Sequence, residues 1–117
     1  MREVKVRGWD GMKMYYFDVA LYMAFNEEAQ EDMCPSSASQ NLMLHTGLND
    51  KNGKDIYVGD IVLDRNEPAT GMVGLSYGSF IVNWHGPDID DLRDYHEFLE
   101  VIGNIYENSE LLEEASL

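Results

Sequence analysis

The sequence predicts a mainly β protein: a small SH3-like β-barrel core with an N-terminal β-hairpin extension and a short C-terminal helix. Three observations lead there. Short apolar, β-branched runs recur between residues 42 and 106, each about a strand in length and each bounded by turn formers. Asn52-Gly53 stands between two such runs, and Asn and Gly tolerate the positive φ angles of a tight hairpin turn. Gly59-Asp60 then punctuates the chain just before Ile61-Val62-Leu63, where a core strand begins.

The elements follow in order. Val4 and Val6 alternate with Lys5 and Arg7, the period of a strand with one wet face, and Asp10-Gly11 supplies a turn. From Tyr15 to Phe25 every odd position is apolar, which favours a strand for the first half of the segment; Met14, Ala20 and Ala24 leave a helical reading open. Residues 26–40, with Glu27, Glu28, Glu31 and Asp32 ahead of Cys34-Pro35-Ser36-Ser37-Ala38-Ser39, lack periodicity and read as an exposed loop with room for a short acidic helix. The core strands are expected at Leu42–Thr46, Ile56–Tyr57, Asp60–Leu63, Gly71–Leu75 and Phe80–Trp84, in the strand-turn-strand order of SH3-like barrels. The acidic stretch from Gly86 through Tyr95 reads as a loop or one helical turn. Phe98–Tyr106 reads as a closing strand kinked at Gly103. Asn108 or Ser109 can cap a short helix with Glu110 in its first turn.

A chain of 117 residues falls in the size of one domain, residues 1–117, with its β core at about 42–106. Hydrophobic residues make up 44% of it, enough to support a packed core. No run approaches the roughly 20 apolar residues that span a bilayer, and Arg2, Glu3, Lys5 and Arg7 interrupt any leader, so a cytoplasmic protein without membrane contact is expected. The single cysteine, Cys34, fits a reducing compartment and excludes an internal disulfide. A net charge of −14 opposes binding to a phosphate backbone, because that affinity comes from Lys and Arg displacing counterions. The excess is concentrated at the C-terminal end, where residues 86–117 carry ten acids against Arg93, a net of −9. Asp88, Asp90, Asp91 and Asp94 are the candidate surface for a basic partner; a solvated, solubilising face is the plainer reading.

Catalytic constellations are weak. Cys34, His45, His85 and His96 supply the nucleophile and imidazole types, but none lies in a motif, and loop thiol, packed imidazole and surface imidazole are the plainer readings. Asp88-Ile89-Asp90-Asp91-Leu92-Arg93-Asp94 offers carboxylate oxygens to a hard cation without the spacing of a calcium loop. Phosphate-binding and dinucleotide-binding glycine motifs and the nucleophile elbow are all missing. No catalytic, cofactor or metal site is therefore expected. The even positions of the 14–25 segment, Met14, Tyr16 and Tyr22 with Ala20 and Ala24, duplicate the hydrophobicity of the odd ones; a strand apolar on both faces needs cover on both, which predicts self-association there.

Thr46-Gly47-Leu48, Asn52-Gly53, Gly59-Asp60-Ile61-Val62 and Gly103-Asn104-Ile105-Tyr106-Glu107-Asn108, with the N-terminal Met1–Asp10, resemble the YopX family of phage and prophage proteins. The resemblance covers both ends and the middle of the chain and leaves residues 26–40 and 86–97 unmatched. It implies phage or prophage origin, a bacterial host cell, a mainly β fold and homo-oligomers, and it carries over no catalytic set. The expected function is a non-enzymatic accessory protein acting by protein–protein contact as a homo-oligomer. The alternative is an acidic mimic of nucleic acid that inhibits a basic host protein.

Overall fold

The structure is a computed structural model that describes residues 4–85 and 88–115. It is mainly β, its strands pair antiparallel, and the chain divides into two compact units, Met1–His45 and Thr46–Leu117. One domain over residues 1–117 is what length alone suggests; the pairings form two sets, and most of the core expected at 42–106 falls in the second.

In the first unit, β1 (Lys5–Trp9) lies between β2 (Met14–Asp18) and the start of β3 (Leu42–Asn49). The turn from β1 to β2 is built by Asp10, whose Oδ1 accepts the Met12 and Lys13 N–H groups at 2.7 Å each. Arg7 departs from the expected wet face: it is buried, next to buried Val6. The strand reading of the 14–25 segment holds only to Asp18. There the carboxylate accepts from the Leu21 N–H at 3.0 Å and caps a helix, α1 (Val19–Ala24), so one long strand apolar on both sides does not form. Asn26 caps the next helix, α2 (Glu27–Met33), in the same way, with Glu27 and Glu28 at its positive end. Beyond it, residues 35–41 turn repeatedly yet are anchored, because Cys34 and Ala38 are buried and Asn41 Nδ2 donates to the Trp9 carbonyl at 2.9 Å.

In the second unit, the end of β3 is followed by β4 (Asp55–Tyr57), β5 (Asp60–Asp64), β6 (Ala69–Ser76), β7 (Ser79–His85) and β8 (Asp88–Asp91). A single turn of helix, α3 (Leu92–Tyr95), runs into a 3-10 turn before β9 (Leu99–Asn104), and α4 (Glu110–Ala115) ends the described chain. Five strands form an antiparallel sheet in the order β8-β7-β6-β5-β9. Its core is Ile56, Val62, Val73, Val82, Leu92 and Leu99, each fully buried and each contributing about 1.5–3 kcal/mol by leaving water. Val73 and Val82 face each other across β6 and β7, so the turn between these strands sets the register that puts both inside.

The sheet stays open between β8 and β9 among the described residues, and the expected barrel does not close. The side of β9 away from β5 is occupied by a loop. The Lys51 N–H donates to the Leu99 carbonyl at 2.9 Å, and the Val101 N–H donates to Asp50 Oδ2 at 2.9 Å. Asp50 also holds its own loop: its Oδ1 accepts from the Asn52 and Lys54 N–H groups, both at 2.9 Å. Asn52-Gly53 does turn the chain, with Gly53 at φ +83°, but the loop runs over residues 50–54 and Asp50 organises it.

The remaining motifs meet one another. Asp60, almost fully buried, accepts the Tyr57 N–H at 2.7 Å across the turn between β4 and β5. Gly59 in that turn donates to the Val73 carbonyl at 2.8 Å and accepts from the Ile105 N–H at 2.9 Å. Asn104 Oδ1 then accepts from the Tyr106 and Glu107 N–H groups, while Asn108 Oδ1 accepts the Asn104 N–H at 3.1 Å. A Cβ at Gly103 would lie 2.5 Å from that Asn108 oxygen, so only glycine leaves room for it. The kink expected at Gly103 is a register shift: Ile61 faces Gly103 while Val62 faces Val101, leaving Ile102 as a bulge.

The β6–β7 turn is unusual. Both central residues have positive φ, Tyr77 at +50° and Gly78 at +78°, the signs a two-residue hairpin turn requires. Tyrosine is a poor residue for that conformation, which costs an L side chain about 1–2 kcal/mol. Among the described residues no helix is long and apolar enough to cross a membrane.

Two stability measurements follow. In urea unfolding, Asp50→Ala should cost about 3 kcal/mol, because three backbone donors lose a charged acceptor, and Asp50→Asn should cost less because one oxygen remains. A loss under about 0.5 kcal/mol for Asp50→Ala would refute the role given to this carboxylate. Tyr77→Asn should raise stability by about 1 kcal/mol, since Asn adopts positive φ more readily; a destabilised variant would mean that the ring holds the turn.

Candidate functional site

The acidic C-terminal stretch folds in a way its composition does not show. Residues 88–91 form β8 against β7, with Asp90 opposite Val82 and Asp91 opposite Ile81, so these two neighbouring acids face opposite sides of the sheet. Asp91 turns to Arg93. Its Oδ1 accepts the Arg93 N–H at 2.9 Å and its Oδ2 meets the guanidinium at 2.7 Å, which caps α3. The guanidinium first, and the backbone N–H second, hold the Asp91 carboxyl below the usual carboxylate range. Asp94 is exposed in α3.

Asp88 and Asp90 face a cleft of about 330 Å³ that also includes Asp64 from the end of β5, Glu67 from the β5–β6 turn, Trp84 from β7 and Tyr95 from α3. Trp84 is the organising side chain. Its Nε1 donates to Asp90 Oδ2 at 2.8 Å, which orients the carboxylate, and its ring meets Tyr95 edge-on at 6.4 Å and 73°. Gly71 on β6 makes room for it: a Cβ there would sit 2.9 Å from the indole and 2.7 Å from Val82. The wall is thus aromatic and the rim carries carboxylates from three chain segments. Carboxylates and aromatic rings line the same cleft, a combination whose chemistry suits a cation.

The other sequence candidates scatter. Cys34 is buried, and burial, followed by the nearby Glu31 charge, pushes its thiol up, away from the reactive thiolate. Glu31 itself is held below the ordinary carboxylate range by the Ser36 N–H and hydroxyl. His45 is half-buried in β3, and His96 Nδ1 lies 2.8 Å from the Asn49 carbonyl. The His85 side chain lies outside the described residues. Among the described residues no three or more His, Cys, Asp or Glu side chains group so as to hold a metal ion. Of the self-association candidates, Met14 and Tyr16 are on β2, with Tyr16 60% exposed, whereas Tyr22 is on α1 with its ring 5.3 Å from Phe17. The switch to helix at Asp18 removes Tyr22 from the β2 face. Of the four acids named from the sequence, the cleft brings together Asp88 and Asp90 and not Asp91 or Asp94, and it adds Asp64, Glu67, Trp84 and Tyr95, which sequence reasoning did not group with them.

Comparison with known proteins places this geometry in context. A family model described as YopX protein matches residues 5–113. No curated protein matches the chain. Among solved structures, the chain is similar to the crystal structure of protein EF1440 from Enterococcus faecalis, at 25% identity and a TM-score of 0.49, over 94% of this chain and 75% of that one.

The pairing of Asp91 with Arg93 gives a pH expectation. An NMR titration should place the Asp91 carboxyl below its ordinary 3.8. A depressed carboxyl stabilises the fold at neutral pH, and that contribution is lost as pH falls through the depressed value. In Arg93→Gln the titration should move up toward 3.8 without reaching it, because the backbone N–H still donates. An unchanged titration would show that the guanidinium is not the main cause.

Proposed function

We propose that this chain, which belongs to the YopX family, is a non-enzymatic phage or prophage accessory protein of the bacterial cytoplasm that acts by protein–protein contact and self-associates. The observation that supports the reading is the acidic, aromatic cleft formed by Asp64, Glu67, Trp84, Asp88, Asp90 and Tyr95. Among the described residues it has no nucleophile and base in hydrogen-bonding register, the arrangement that covalent or acid–base catalysis on a substrate would use. It has instead the features that favour a basic side chain: carboxylates on the rim to steer it and ring faces to receive its cationic head. Arginine suits the cleft better than lysine, because its planar head can stack on an indole while bonding a carboxylate.

A second reading, mimicry of nucleic acid, is favoured by the net charge of −9 on residues 86–117. Here the basic partner is a host protein whose phosphate-binding surface is occupied by carboxylates. Both readings use the same cleft and differ in the breadth of the partner's surface.

Calorimetric titration with an arginine-rich peptide tests the cleft. Binding should weaken steeply with salt, since rim charges at the surface are screened over about 8 Å at physiological ionic strength. The double variant Asp88→Asn, Asp90→Asn should weaken it about tenfold, within what two pairs of about 0.2–1 kcal/mol each allow, one at exposed Asp88 and one at half-buried Asp90. Equal affinity in the double variant, or no binding at low salt, would refute the proposal.

A further inference from the structure

We infer that the β6–β7 hairpin is a self-association surface, in which Tyr77 of each copy enters a small cavity beside the same hairpin of the other. This rests on the self-association part of the proposed function and moves it away from Tyr16. Four observations converge. Tyr77 is fully exposed at the tip of the turn, in a positive-φ conformation that tyrosine adopts poorly, so its ring gains nothing from its own fold. Such local conflict is characteristic of sites that serve contact rather than stability.

Beside it lies a cavity of about 200 Å³, lined by Leu48, Phe80, Gly78, Ser79, Thr46 and Arg93. That is smaller than the roughly 300–1,000 Å³ of small-molecule sites and suits one inserted side chain. Leu75, half-exposed, faces Phe80 across the hairpin and continues the apolar surface toward the tip. Knob and hole lie side by side, the hole closed by β3 and α3 as well as by the hairpin, and such adjacency makes the surface self-complementary, the requirement of a two-fold interface.

Charge selects the occupant. Between Glu67 and Asp88 there is no Asp, Glu, Lys or Arg, in a chain whose net charge is −14. Two copies repel each other over most of their surface, and the hairpin is a charge-free stretch where they can meet, beside a cavity whose one charged lining residue, Arg93, is paired with Asp91. A basic foreign partner would be drawn instead to the carboxylates of the cleft. The contact is small: an aromatic side chain buries about 150–250 Å², which with its neighbours stays within the weak, transient class below about 1,200 Å².

Light scattering after size exclusion on the full chain, from micromolar to millimolar protein, reads the outcome. The mass should rise from 13.4 kDa toward twice that value. Added salt should strengthen the association by screening the net charge, the opposite of its effect on the cleft. Tyr77→Asn should weaken dimerisation at least tenfold while its urea midpoint stays at or above that of the parent, which separates lost contact from lost fold. Tyr77→Phe and Tyr16→Ser should both keep the dimer. A dimer unaffected by Tyr77→Asn, or one abolished by Tyr16→Ser, would overturn the hairpin assignment and leave self-association standing. A monomer at every concentration would overturn both.

Discussion

The fold of the second unit depends on buried side-chain oxygens that satisfy backbone N–H groups where strand pairing cannot. Asp50 accepts three of them, two in its own loop and one from β9, and is almost fully buried. Leaving such donors without partners in the interior would cost about 1–3 kcal/mol each, so the turns around Asp50, Asp60 and Asn104 are fixed by hydrogen bonding as much as by apolar packing. This also explains why the sheet stays open. The β9 edge, which a closed barrel would pair with another strand, is covered by the Asp50 loop. The motifs that mark the family coincide with this framework: Gly59-Asp60 and Gly103–Asn108 are far apart in the chain and are joined by the Ile105 N–H on the Gly59 carbonyl.

The same framework divides the acidic residues into two classes. Asp10, Asp18, Asp50, Asp60 and Asp91 accept backbone N–H groups at turns and helix starts, where negative charge complements local donors. Glu67, Asp88 and Asp90 gather around Trp84 and Tyr95, and Asp64 belongs to both classes, because its Oδ1 also accepts the Asn66 N–H at 2.9 Å. A net charge of −14 is therefore not spread evenly. One side-chain cluster concentrates it and one hairpin excludes it.

Strand positions were largely legible because they rest on local signals. The runs at 42–46, 56–57, 60–63, 71–75 and 80–84 all lie within observed strands, and glycine marked the turns at Gly53 and Gly59. The 14–25 segment was half legible: its alternation was real up to Asp18, but the capping power of that carboxylate over Leu21 outweighed the pattern beyond it. β8 was missed because three of its four residues are aspartates, which disfavour strands, against the single β-branched Ile89, and it exists because β7 offers it an edge. Arg7 was expected in water from its neighbours' period, which says which faces differ and not which one becomes covered.

By itself, the sequence determined the mainly β character, the turns, the charge balance and the family, all of which depend on residue types and on neighbours a few positions apart. Only the tertiary structure decided that the sheet remains open, that Asp64 and Glu67 join Asp88 and Asp90 around one indole, and that Tyr77 is left at a strained tip beside a cavity. Those outcomes depend on which distant strands pair and in what register. The free energy that selects them comes from burial and hydrogen bonding between segments that no local pattern brings together.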